Sequence, residues 1–123
     1  MSEQKTILTV DDSATMRELL LAALSEMGFR VVQACDGEAA LETLKVERAD
    51  IIITDVNMPR RDGLSFIEEL RKDKSNRATP VLVLTTETDP ELKDRARKAG
   101  ATGWIVKPFD PVKLADAIRR VTA

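Results

Sequence analysis

The chain has 123 residues, the size of one domain, so a single domain spanning 1–123 with no effector domain is expected. A net charge of −2 with 33% charged residues describes a hydrated surface rather than a nucleic-acid groove, and 3% aromatics give no stacking platform for single strands. One cysteine, Cys35, excludes an intrachain disulfide and fits a reducing compartment, no secretory signal opens the chain, and no apolar stretch is long enough to cross a bilayer. The expected protein is a cytoplasmic monomer that binds neither nucleic acid nor membrane.

The first apolar, β-rich run is Thr6–Val10. After it, Met16, Leu20, Ala23, Leu24 and Met27 recur at the spacing of one helix face, which Gly28 stops. A second run, Arg30–Ala34, ends at Cys35-Asp36, which reads as a turn into the next helix. The third and fourth runs, Asp50–Thr54 and Pro80–Leu84, are apolar on consecutive residues, as strands buried on both faces must be. Asp89-Pro90 reads as an N-cap with proline at the first helical position, and Gly100 sits where that helix should stop. A fifth run, Thr102–Val106, precedes Asp110-Pro111, a second such start, followed by the helical face of Leu114, Ala117, Ile118 and Val121. Strand and helix alternating five times predict an α/β fold, a doubly wound parallel sheet with helices on both faces.

Ligands of such sheets bind outside the carboxyl ends of the strands, so what ends each strand is informative. The first ends in Asp11-Asp12, the third in Asp55, the fourth in Thr85-Thr86 and the fifth in Lys107. If the strand order is 2-1-3-4-5, the first and third strands are neighbours and three carboxylates converge. Crowded carboxylates raise one another's pKa and need a counter-charge. Oxygen ligands without histidine or thiolate favour a hard cation, Mg²⁺ before Zn²⁺. A carboxylate beside such an ion can attack a phosphoryl group and become an acyl phosphate, with Lys107 supplying a fixed cation and Thr85 a hydroxyl donor.

Each residue also has an ordinary use. Asp11-Asp12 could be helix N-terminal charge, Asp55 a turn residue before Pro59, Thr85-Thr86 a helix start, Lys107 a solvated lysine and Trp104 a packing residue. All of these would have to hold together at four strand ends on one edge. A flavin site is disfavoured because Asp11-Asp12 would repel a phosphate at the first turn, and neither G-x-G-x-x-G nor a Walker loop is present.

Four separated motifs, in order and each at a strand end, now stand out: Val10-Asp11-Asp12-Ser13; Thr54-Asp55-Val56-Asn57-Met58-Pro59 with Asp62-Gly63; Leu84-Thr85-Thr86-Glu87; and Lys107-Pro108-Phe109. Over essentially its whole length the chain resembles the response-regulator receiver family, most closely its single-domain chemotaxis regulators. The resemblance implies the flavodoxin-like (βα)5 sheet of order 2-1-3-4-5. It implies Asp55 as phosphoacceptor, a metal site for Mg²⁺ made of Asp11, Asp12, Asp55 and the backbone carbonyl of Asn57, and Lys107 paired with the phosphoryl group through a cis bond to Pro108. Thr85 would move toward the phosphoryl group while Trp104 changes exposure, and Asn57 and Glu87 would tune dephosphorylation. Trp104 stands where the family usually has Tyr or Phe, and Thr86 where it often has something smaller.

The resemblance further implies a histidine kinase as phosphodonor, with a flagellar motor switch protein and a phosphatase as partners, and a phosphoacceptor that loses its group slowly rather than an enzyme. Two other readings stay open: a phosphate sink or relay intermediate of the same fold, and a Mg²⁺-dependent phosphatase with an aspartate nucleophile. Against the latter, Asn57 occupies the position where such phosphatases carry a second Asp. The stretch Glu91–Lys98 has only Leu92 and Ala96 as apolar residues, so its helix should be weakly anchored. Lys93, Arg95, Arg97, Lys98, Lys113, Arg119 and Arg120 make this side basic, which suits an acidic or amphipathic partner beside Trp104 or simply a solvated face.

Overall fold

Five strands, β1 (Thr6–Val10), β2 (Arg30–Ala34), β3 (Ile51–Asp55), β4 (Val81–Thr85) and β5 (Gly103–Val106), form one parallel sheet in the order β2-β1-β3-β4-β5. They alternate with helices α1 (Ala14–Glu26), α2 (Gly37–Val46), α3 (Gly63–Lys72), α4 (Pro90–Ala99) and α5 (Pro111–Thr122). The structure is a computed structural model that describes residues 4–56, 62–86 and 90–122. The expected doubly wound flavodoxin-like fold is thus found.

The apolar runs divide residue by residue between two cores. Ile52, Val81 and Val83 face α2, α3 and α4, packing with Ala40, Phe66, Leu70 and Leu92, while Ile51, Ile53, Leu82 and Leu84 face α1 and α5, packing with Leu20, Leu24, Leu114 and Ile118. Consecutive strand residues point to opposite faces, so a sheet covered on both sides needs unbroken apolar sequence. All five residues of β1, β3 and β4 are accordingly buried, whereas β2, at the sheet edge, exposes Arg30 and Gln33.

Three strands start one residue later than the apolar runs suggest. Asp50 precedes β3 and holds β1 from both its backbone and its side chain: its N–H donates to the Thr6 carbonyl, and its carboxylate accepts from the Thr6 N–H at 2.8 Å. Pro80 has no N–H to give and only accepts, from Ile52. Thr102 meets Val81 partly through its side chain, whose oxygen accepts from the Val81 N–H at 3.0 Å.

Side-chain oxygens cap the helix starts. Ser13 caps α1, Asp36 caps α2 and Asp62 caps α3, each accepting from the backbone N–H three residues on. Asp110 accepts from the Val112 N–H at the start of α5. Pro90 and Pro111 are the first residues of α4 and α5, as expected, while Asp89 lies outside the described residues. Gly28 and Gly100 follow α1 and α4 with φ of +97° and +115°, a region where only glycine is at ease.

Candidate functional site

Parallel pairing sets the strand ends level. Val10 lies beside Thr54, Asp55 beside Leu84, and Thr85 beside Val106, so the residues that follow share one edge. There the carboxylates of Asp11, Asp12 and Asp55 come together, with one oxygen of each lying within 4.8 Å of the others. Asp11 is 1% exposed and Asp55 8%, while Asp12 is exposed at the rim.

The backbone orients these acids. Asp11 donates its N–H to Ala34 of β2 and accepts from the Ser13 N–H at 2.9 Å. Asp55 accepts from the Val56 N–H at 2.8 Å. Lys107 arrives from the far end of the chain, its N–H bonded to the Thr85 carbonyl at 2.7 Å and its peptide bond to Pro108 cis. Its Nζ lies 3.2 Å from Asp11 Oδ2 and 3.4 Å from Asp55 Oδ1, with only 14% of the side chain exposed.

Burial pushes the Asp55 carboxyl above its ordinary range, and the Asp11 charge pushes in the same direction; the Lys107 cation and the Val56 N–H oppose them without cancelling them. Among the described residues one lysine faces the three carboxylates, an arrangement short of positive charge. An all-oxygen donor set with excess negative charge fits a hard divalent cation and the phosphate oxygens that accompany it.

Thr85 closes β4 at 2% exposure, and Thr86 beyond it is exposed. Trp104 on β5 is half-buried, with the Lys93 ammonium of α4 5.5 Å from its ring centre. Its indole nitrogen is buried without a hydrogen-bond partner among the described residues. Asn57 and Glu87 lie outside the described residues.

Two residues have a role that their sequence context does not reveal. Gly63 begins α3 directly under the end of β3: its N–H donates to the Val56 carbonyl at 2.7 Å, and a Cβ there would stand 2.1 Å from the Asp55 carbonyl oxygen. The sequence marks Gly63 only as half of the Asp62-Gly63 motif, with no sign of its contact with the Asp55 backbone. Arg17, one turn into α1, donates from Nη1 to the Asp11 carbonyl oxygen at 2.7 Å and braces the acidic turn from below. An arginine on a helix gives no sign of a backbone acceptor six residues earlier.

The family profile of the response regulator receiver domain matches residues 7–119. The transcriptional regulatory protein PdtaR of Mycobacterium tuberculosis is 39% identical over 115 residues, which cover 93% of this chain and 55% of that one. This chain spans about half the length of the curated relatives it matches. Among solved structures, chemotaxis protein CheY4 of Vibrio cholerae is 42% identical with a TM-score of 0.94, covering 97% of this chain and 99% of that one. The receiver domain of sensor histidine kinase PA1611 of Pseudomonas aeruginosa, solved with a magnesium ion coordinated in its active-site cleft, is 27% identical with a TM-score of 0.90 over 98% of this chain and 100% of that one.

Proposed function

This chain belongs to the response regulator receiver family, the phosphoacceptor domains of two-component systems, and on that premise we propose that Asp55 takes a phosphoryl group from a histidine kinase. The observation that carries the assignment is the Lys107 ammonium set between Asp11 and Asp55, on a carboxylate that burial makes less willing to hold its charge. Asp55 attacks phosphorus through one oxygen; a P–O bond forms as the bond to the donor nitrogen breaks, its electron pair leaving with the imidazole. Asp11, Asp12 and Asp55 would hold Mg²⁺, with the carbonyl of Asn57, which lies outside the described residues, as a further ligand, and the ion would neutralise charge on the transferring group. Lys107 stays within reach of the new phosphoryl oxygens, and the Thr85 hydroxyl donates to them. Asn57 stands where aspartate-nucleophile phosphatases carry a second aspartate, which favours slow loss of the acyl phosphate over catalytic turnover.

The output is a change of shape around α4 and Trp104. Hydrogen bonds from Thr85 and Lys107 to a charged acceptor contribute roughly 1.5–3 kcal/mol each. Full reversal of a two-state equilibrium from 1:99 to 99:1 takes about 5.5 kcal/mol, which the two bonds reach only at the top of that range, so a partner's binding adds to the shift. The likeness to CheY4 over nearly the full length of both chains supports a chemotaxis messenger read by a flagellar motor switch protein. Intact mass after incubation with Mg²⁺ and acetyl phosphate tests the chemistry: one added phosphoryl group is expected, absent in Asp55→Asn and absent with a chelator. An adduct that survives either control would overturn the assignment.

A further inference from the structure

Arg71 stands in the last turn of α3, about as far from the acidic cleft as the sheet allows, and makes five hydrogen bonds to four backbone carbonyls. Its Nη1 donates to Thr79 at 2.6 Å, Asn76 at 2.7 Å and Arg77 at 3.2 Å, on the segment leading into β4. Nε and Nη2 donate in a fork to the Gly100 carbonyl, at 3.1 and 2.8 Å, just beyond the end of α4. One planar side chain therefore ties the end of α3, the approach to β4 and the end of α4 together.

The environment is built around this side chain. Burial alone pushes the guanidinium pKa below its ordinary value, so the cation is partly stripped of water and compensated by carbonyl dipoles. Gly100 turns over the arginine stem with φ +115°, and a Cβ there would stand 2.8 Å from Arg71 Cγ. Glycine at 100 thus serves both the helix stop and the close approach. Lysine has neither the planar fork nor the donors to reproduce these contacts.

α4 packs thinly along its own length. It buries only Leu92 and Ala96, and its C-terminal residues Arg97 and Lys98 face solvent. We propose that Arg71 is a positioning residue that pins the C-terminal end of α4 to the base of β4, so that the helix pivots there and moves at its N-terminal end. The pivot rests on the switch reading above for its purpose, though the pin itself exists without phosphorylation. Movement that starts at Thr85, on the end of β4 next to the cleft, is then converted into a swing of Lys93 against Trp104 rather than a bodily slide of the helix.

Amide hydrogen exchange on the full chain tests this, comparing the parent with Arg71→Lys and Arg71→Gln, with and without Mg²⁺ and beryllofluoride. In the unmodified protein, exchange across 97–102 is expected to rise at least about tenfold in both variants, the factor set by losing one hydrogen bond from a charged donor, while β1 and α5 stay unchanged. A rise at 97–102 that merely tracks an equal rise in β1 would reduce Arg71 to general stability and overturn the proposal. With beryllofluoride the parent should change at 90–96 and not at 97–102, and Arg71→Lys should change along the whole helix. A uniform change along α4 in the parent would also overturn the pivot. Failure of beryllofluoride to perturb any segment would count against Asp55 as phosphoacceptor instead, with the pin still decided by the first comparison.

Discussion

α3 and α4 each run for ten residues, each follows a strand that ends in a site residue, and both pack on the same face of the sheet. α3 buries Gly63, Leu64, Phe66, Ile67 and Leu70, and its first residue lies against the backbone of Asp55. α4 buries only Leu92 and Ala96, and Arg71 binds the Gly100 carbonyl just beyond its far end. A phosphoacceptor must be fixed to a few tenths of an ångström, whereas an output element must move for a few kcal/mol. Uneven burial of two similar helices supplies both, because the free energy of local opening follows the number of buried contacts.

The same truncation made in both helices probes the contrast most strongly. Leu70, 1% exposed, and Leu92, 9% exposed, both lose the same atoms on substitution by alanine. Leu70→Ala is expected to cost roughly 3–5 kcal/mol and Leu92→Ala about 2 kcal/mol or less, read from urea unfolding. Equal costs would mean that α4 is anchored as firmly as α3.

Gly63→Ala comes next. The new methyl group must push the start of α3 away from Asp55, with an expected loss of about 1–3 kcal/mol and slower acetyl phosphate labelling. A variant with parental stability and labelling would show that the close approach does not fix the acceptor.

Asp55→Asn follows, with a sign set by burial. A carboxyl raised above its ordinary value of 3.8 binds its proton more tightly in the folded chain than in the unfolded one. That favourable contribution is present at pH below the unfolded value and disappears as pH rises through the folded one. In chelator at neutral pH, Asp55→Asn should therefore melt higher than the parent, and the gap should close as the pH is lowered through the raised pKa. A variant that melts lower at neutral pH would show that Lys107 outweighs burial.

Lys93→Ala should have the smallest effect, about 0.5–1 kcal/mol at most, with a visible change in emission from Trp104, the single tryptophan. A loss as large as that of Leu92→Ala would place the anchorage of α4 on its surface rather than its core.

Much of this could be read in advance because it depends on side chains at strand ends. The unbroken runs Ile51-Ile52-Ile53 and Val81-Leu82-Val83-Leu84 announce a doubly covered sheet, and Gly28 and Gly100 mark helix stops by their conformational freedom. The convergence of Asp11, Asp12, Asp55 and Lys107 then follows from the strand order. The thin packing of α4 was legible too, since Leu92 and Ala96, the apolar residues of the stretch Glu91–Lys98, are the ones it buries. What escaped was whatever depends on backbone partners distant in sequence. Arg71 looks like any basic residue at a helix end, because its acceptors are carbonyls, which leave no mark in the sequence. The same holds for Arg17 on the Asp11 carbonyl and for Gly63 under Asp55.

The most direct test of the central claim is to locate the phosphoryl group chemically. An acyl phosphate on aspartate is reduced by borohydride to homoserine, so labelling with acetyl phosphate and Mg²⁺, reduction and peptide mapping should find homoserine at position 55 and nowhere else. Homoserine at position 11 or 12, or a stable phosphorylated peptide with no reducible carboxyl, would contradict the account.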